Sequence, residues 1–122
     1  MIDTNMVLRA ASAGALSADE LTPTGVDMGQ DLVAQTYMVY VPSVSGTTAT
    51  LDVTIQESDD NSTYRTIGVF PQIVQASAPG QYFITVKANA RYRRYTADVG
   101  GTTPNFGAVI IAPVPGGRYN NW

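Results

Sequence analysis

Cysteine and histidine are both absent from the 122 residues, and only 14% of the chain is charged. Histidine is the side chain that titrates near neutral pH, and with cysteine it carries most metal-ligand and nucleophile chemistry. A chain without either can still catalyse with carboxylates, but the main routes are closed. No disulfide can form, so stability must come from packing or oligomerisation, and the redox compartment cannot be read. No apolar run approaches the ~18–20 residues of a membrane helix, and no membrane partner is expected. The start, Met1 to Asn5, lacks the basic residues and apolar stretch of a signal peptide, which predicts a chain made in a cytoplasm and used as made. Ten acidic against seven basic residues leave a net charge of −3. That favours solubility and gives no drive toward nucleic acid.

What is present is a series of short runs rich in Val, Ile, Thr and Tyr. The clearest is Thr50 to Gln56, where Leu51, Val53 and Ile55 alternate with Asp52, Thr54 and Gln56. A period of two predicts a strand with one apolar face. Tyr82, Ile84 and Val86 repeat it against Thr85 and Lys87. Asp31 to Val41 predicts a longer strand stopped by Pro42, which cannot donate to a ladder. Tyr64 to Phe70 and Arg91 to Val99 predict two more strands. Phe106 to Ala112 is nearly all apolar and predicts a central strand buried on both faces. Asn5 to Ala10 predicts an edge strand.

Turn residues separate these runs. Ser45-Gly46-Thr47, Asp59 to Ser62, Ala78-Pro79-Gly80 and Gly100 to Pro104 all carry turn chemistry. Ala10 to Leu21 is rich in alanine but contains Gly14, and predicts a loop with one helical turn. Seven or eight strands with almost no helix predict an all-β fold, an antiparallel β-sandwich of jelly-roll or immunoglobulin-like type. The length fits one domain. The sandwich is expected over residues 31–112, with extended arms at residues 1–30 and 113–122.

Three constellations could carry function. Glu57, Asp59, Asp60 and Asn61 form an acidic hairpin, and Asp59-x-Asn61-x-Thr63 echoes a calcium loop. Tyr64 stands where that loop needs glycine, and Phe70 where it needs glutamate, so a solvated turn is expected and no metal. Arg91, Arg93 and Arg94 interleave with Tyr92 and Tyr95. In a strand, Arg91, Arg93 and Tyr95 would share one face and Tyr92 and Arg94 the other. Splitting the positive charge weakens the case for nucleic acid, and arginines paired with carboxylates are expected. Last, Arg118, Tyr119 and Trp122 follow the joint Gly116-Gly117. Tyr, Trp and Arg are the residues most enriched at binding hot spots. No phosphate loop, dinucleotide fingerprint or nucleophile elbow is present, so no cofactor and no enzyme is expected.

Two stretches resemble a known family. Thr50 to Ile67 resembles a phrase of tailed-phage virion proteins: a strand ending in Gln-x-Ser-x-Asp, an Asn-Ser turn, then a returning strand with an aromatic. Arg91 to Tyr95 followed by Gly100-Gly101-Thr102-Thr103-Pro104-Asn105-Phe106 resembles the ending of the same proteins. The likeness spans roughly residues 32–112 and points to the cement, or decoration, proteins of tailed-phage heads. It implies a β-sandwich, often a homotrimer, seated on the virion surface where major capsid subunits meet. The residues expected to bind partners are Arg118, Tyr119, Trp122, Arg91, Arg93 and Arg94. Two other classes stay open. One is a carbohydrate-binding module using Tyr37, Tyr64, Tyr82 and Tyr92; the other is a head–tail connector.

Overall fold

A computed structural model describes residues 7–28, 34–76, 79–87 and 89–114. Eight strands run in chain order: β1 Val26–Asp27, β2 Ala34–Val41, β3 Ser45–Ser58, β4 Arg65–Val69, β5 Ile73–Val74, β6 Gly80–Lys87, β7 Tyr92–Asn105 and β8 Ile110–Pro113. No α-helix occurs among the described residues; Ala11–Ala13 form one 3-10 turn ending at Gly14. One sheet has the order β1-β7-β3-β4, with β5 also pairing β3. The other has the order β6-β2-β8. Every pairing is antiparallel, and the two sheets pack face to face as a β-sandwich.

The alternation in the sequence sets the faces. Leu51, Val53 and Ile55 of β3 lie inward opposite Val99, Ala97 and Tyr95 of β7. Tyr37, Val39 and Val41 of β2 and Val86 of β6 close the core from the second sheet. Phe70, Ile73, Phe106 and Val109 come from connections or short strands, and all four are buried. Each such side chain removes roughly 1.5–3 kcal/mol of apolar surface cost from water.

Several boundaries differ from those expected. β3 begins at Ser45, so Ser45-Gly46-Thr47 is strand and not turn. β7 likewise runs through Gly100 to Pro104. The two glycine segments pair with each other across register shifts. Gly46 and Gly101 adopt φ of 108° and 103°. A Cβ at Gly101 would lie 2.7 Å from the Thr48 carbonyl oxygen, so glycine permits a bulged ladder where its usual role suggests a turn.

Of the segment Phe106 to Ala112, Phe106, Val109, Ile111 and Ala112 are buried and the rest half-buried; only its end is strand, and β8 is an edge strand of its sheet and not central. Its open edge is covered by the N-terminal segment. Leu8 and Arg9 amides donate to the Ile111 carbonyl at 2.8 and 3.0 Å, and the Ile111 amide donates to the Arg9 carbonyl at 3.0 Å.

Residues 7–28, expected within an arm, are extended but bonded to their own sandwich. Leu8, Leu16 and Met28 enter the core. Glu20 exchanges two backbone bonds with Ala97 at 2.8 Å, and β1 adds to β7. The starts of the expected strands at Asn5 and Asp31 lie outside the described residues, as does Ala78.

Candidate partner-binding surface

The three arginines of the basic stretch have three different fates. Arg93 lies inward on β7 and is fully buried. It donates to the Tyr37 hydroxyl at 2.8 Å and to the Ala90 carbonyl at 2.8 Å. Its Nε has no partner. A side chain so enclosed offers nothing to a partner, which removes Arg93 from the expected contact set. Arg91 precedes β7 and forms a two-pronged pair with Asp27, at 3.1 and 2.7 Å. Arg94 points outward, donates to Gln56 Oε1 at 2.7 Å and lies 4.0 Å over the Tyr64 ring. Arg118, Tyr119 and Trp122 lie outside the described residues.

The alternation also buries a carboxylate. Two positions beyond Ile55, Glu57 faces inward and is 1% exposed. Its Oε1 accepts from the Asn89 and Ala90 amides at 2.8 and 3.1 Å. Its Oε2 accepts from Arg65 at 2.9 Å through Nε and 2.8 Å through the terminal nitrogen. A buried carboxylate needs such partners, because leaving it unpaired in a low-dielectric interior costs several kcal/mol. Arg65 carries the bond outward to solvent, where it also meets Asp59 at 3.5 Å. Glu57 is thus a bracket for the 89–90 connection. Continuing the period-two count would have found it.

The rest of the acidic hairpin is a turn. Asp60 Oδ1 accepts from the Ser62 and Thr63 amides, both at 3.0 Å, and from the Ser58 hydroxyl at 2.8 Å. These bonds, the Thr63 amide first, hold its carboxyl below the usual range. Asn61 takes φ 60°, which Asn tolerates. Among the described residues no group of three or more acidic side chains is placed to hold a metal ion.

A second polar knot was not anticipated. Arg9 is buried and donates to Glu20 at 2.9 and 3.2 Å and to the Val109 carbonyl at 2.8 Å. The Tyr95 hydroxyl also donates to Glu20. The Arg9 bond, above all, lowers the Glu20 carboxyl below its ordinary value. Burial, then the bond to Glu20, pushes Tyr95 up to about 12. A shallow cleft of about 370 Å³ opens here, lined in part by Asp19, Glu20, Pro23 and Tyr95. No sequence signal marks Arg9, since it is a lone charge between Leu8 and Ala10.

Of the four tyrosines considered for sugar binding, Tyr37 is fully buried and Tyr82 packs against the core. Tyr64 and Tyr92 are half-buried near the outer face of the five-stranded sheet. On the opposite sheet Phe83 points out and is 51% exposed, beside its register partner Met38.

No protein-family model matches the chain, and no curated protein matches its sequence. Among the described residues no helix is long and apolar enough to cross a membrane.

Proposed function

We propose that this chain is a non-enzymatic virion structural protein, a cement protein that binds across adjacent major capsid subunits and stabilises a phage head. The observation that carries the reading is where the two family-like stretches lie. Thr50 to Ile67 forms most of β3, the turn and the start of β4; Arg91 to Phe106 forms β7 and its exit. They are remote in sequence, yet β3 and β7 pair along nearly their whole length. One continuous surface, β4-β3-β7, therefore holds both phrases, as expected if one family design underlies them.

The physical demands of the role agree. A clamp must resist shear, and two ion pairs with one buried partner each, Arg9–Glu20 and Glu57–Arg65, tie connecting segments to this sandwich. Many copies on a shell multiply weak contacts into strong attachment. Arg94 on the outer face, Arg91 beside it and the segment of Arg118, Tyr119 and Trp122 are the residues proposed to meet partners. A homotrimer is the proposed assembly, and the virion surface the proposed location. Inward placement of Tyr37 and Tyr82 leaves the sugar-binding reading without a four-tyrosine platform.

The test is binding of purified protein to expanded shells that lack it. Co-sedimentation with a rise in the shells' melting temperature supports cement. Protein that stays in the supernatant and leaves shell melting unchanged rejects it. Mass from light scattering tests the trimer.

A further inference from the structure

The outer face of the five-stranded sheet carries opposite charges at opposite ends. At one end stands Arg94, beside Gln56 on β3. It has no carboxylate partner among the described residues, whose ion pairs are Arg9–Glu20, Arg65 with Glu57 and Asp59, and Arg91–Asp27. At the other end Asp52 and Asp98 stand directly opposite each other on the β3–β7 ladder, and no cation is paired with either. The middle is uncharged. Thr54 and Thr96 share a hydroxyl bond, and Val69 beside Thr54 on β4 is 63% exposed.

Arg94 and Asp98 cannot satisfy each other. Four residues along one strand separate their Cα atoms by about 13 Å. Like charges directly opposite on a ladder destabilise it. Here the crowding, from Asp19 first, raises the Asp98 carboxyl above its ordinary value. The isolated chain therefore carries an uncompensated cation and uncompensated anions on one flat face. A departure from local rules with no compensation inside the fold points to contact outside it. A partner of one sign would be repelled at one end. A second copy of the same face can set Arg94 of each copy against Asp98 of the other.

Take a two-fold axis lying along the Thr54–Thr96 rung, just above the sheet. It sets β7 antiparallel to β7 of the second copy. Arg94 then faces Asp98, Asp98 faces Arg94, and Gln56 faces Asp52. Thr54, Thr96 and Val69 meet their own counterparts. We infer that this face is a self-complementary docking surface for a second copy of this chain, with Arg94 of each copy on Asp98 of the other. Such a contact is isologous and closes at two copies. It is distinct from any three-fold contact and does not depend on the cement reading.

The test is sedimentation equilibrium of wild type, Arg94→Glu and Asp98→Arg, each alone, and of the two variants mixed in equal amounts. Wild type should associate at about 20 mM salt and weaken at least about tenfold at about 0.5 M, as close charge pairs are screened. Each single variant should lose the association, because like charges then face each other. The mixture should regain it. One copy then brings Glu and Asp where the other brings Arg and Arg, so every pair is opposite. Asp98 is exposed and Arg94 is half-buried at the surface, and a cooperative melting transition verifies folding of each variant. Should a reversal unfold the chain, Arg94→Gln and Asp98→Asn replace it, each weakening association while the fold holds. Wild type with the same mass at both salts overturns the inference. So does a single variant that associates like wild type, or a mixture no stronger than its components. Shell binding is read separately, so failure of either proposal leaves the other standing.

Discussion

Replacing Glu20 with Gln should destabilise the fold by about 3 kcal/mol. The Arg9 side chain is 1% exposed, while that of Glu20 is 32% exposed. Removing one partner of a buried pair costs about 3–5 kcal/mol, because the other charge stays buried without its counterion. Two features place this case at the low end. Arg9 keeps its bond to the Val109 carbonyl, and Glu20 is partly solvated. An unfolding entropy of roughly 2.1 cal/mol/K per residue then gives a fall in Tm of about 12 °C. The pH dependence has a definite sign. Glu20 is lowered from 4.5 in the fold, so its contribution is present above about pH 4.5 and is lost as pH falls through the lower folded value. Thermal melting followed by circular dichroism at pH 7 and pH 3 is the assay. The gap between wild type and Glu20→Gln should be wide at pH 7 and narrow at pH 3. A drop under about 3 °C at pH 7, too small for a buried pair, would refute the reasoning and return residues 7–28 to the status of a peelable arm. An equal gap at both pH values would show that the Glu20 charge is not what matters.

Gly101→Ala should cost about 2–4 kcal/mol, since it combines a positive φ with a backbone clash; urea unfolding should show a lower midpoint at unchanged slope. Tyr95 is raised from 10.0 to about 12, so its stabilising neutral form persists below pH 10 and its contribution is lost as pH climbs toward 12. Melting between pH 9 and pH 12 should therefore fall more steeply for wild type than for Tyr95→Phe, and parallel curves would contradict the assignment. Asp98→Asn in dilute solution should raise Tm at pH 7 and low salt, by relieving repulsion from Asp19 and Asp52, and the gain should vanish near about 1 M salt.

The local alternation was legible because it is a property of adjacent residues. Leu51, Val53 and Ile55 face the core as read, and Arg93 shares its face with Tyr95 as read. Which sheet receives each strand was not legible. β2 pairs with β6 and β8, across most of the chain, and nothing local encodes that choice. The glycine segments misled because glycine serves turns and bulges by the same freedom in φ. The N-terminal segment looked like an arm because it holds few large apolar side chains. Three of them suffice to tie it down, since Leu8, Leu16 and Met28 enter the core one at a time without any period. The residues proposed at 118, 119 and 122 lie outside the described residues.

The candidate site divides along the same line. Of the three buried charges among the described residues, two meet an opposite charge, Glu57 at Arg65 and Arg9 at Glu20, while Arg93 is held by the Tyr37 hydroxyl and the Ala90 carbonyl. Burial demands polar partners for each of them, because a charge left without any inside would cost several kcal/mol. Charges pointing outward face no such demand, since water solvates them at little cost. Selection for folding alone would leave their signs and positions nearly free. On the β3–β7 face they are segregated, with Arg94 at one end and Asp52 and Asp98 at the other, and an uncharged rung between. The fold does not require that arrangement, and the Asp52–Asp98 pair opposes it. The natural place to seek its cause is a surface that lies against this one.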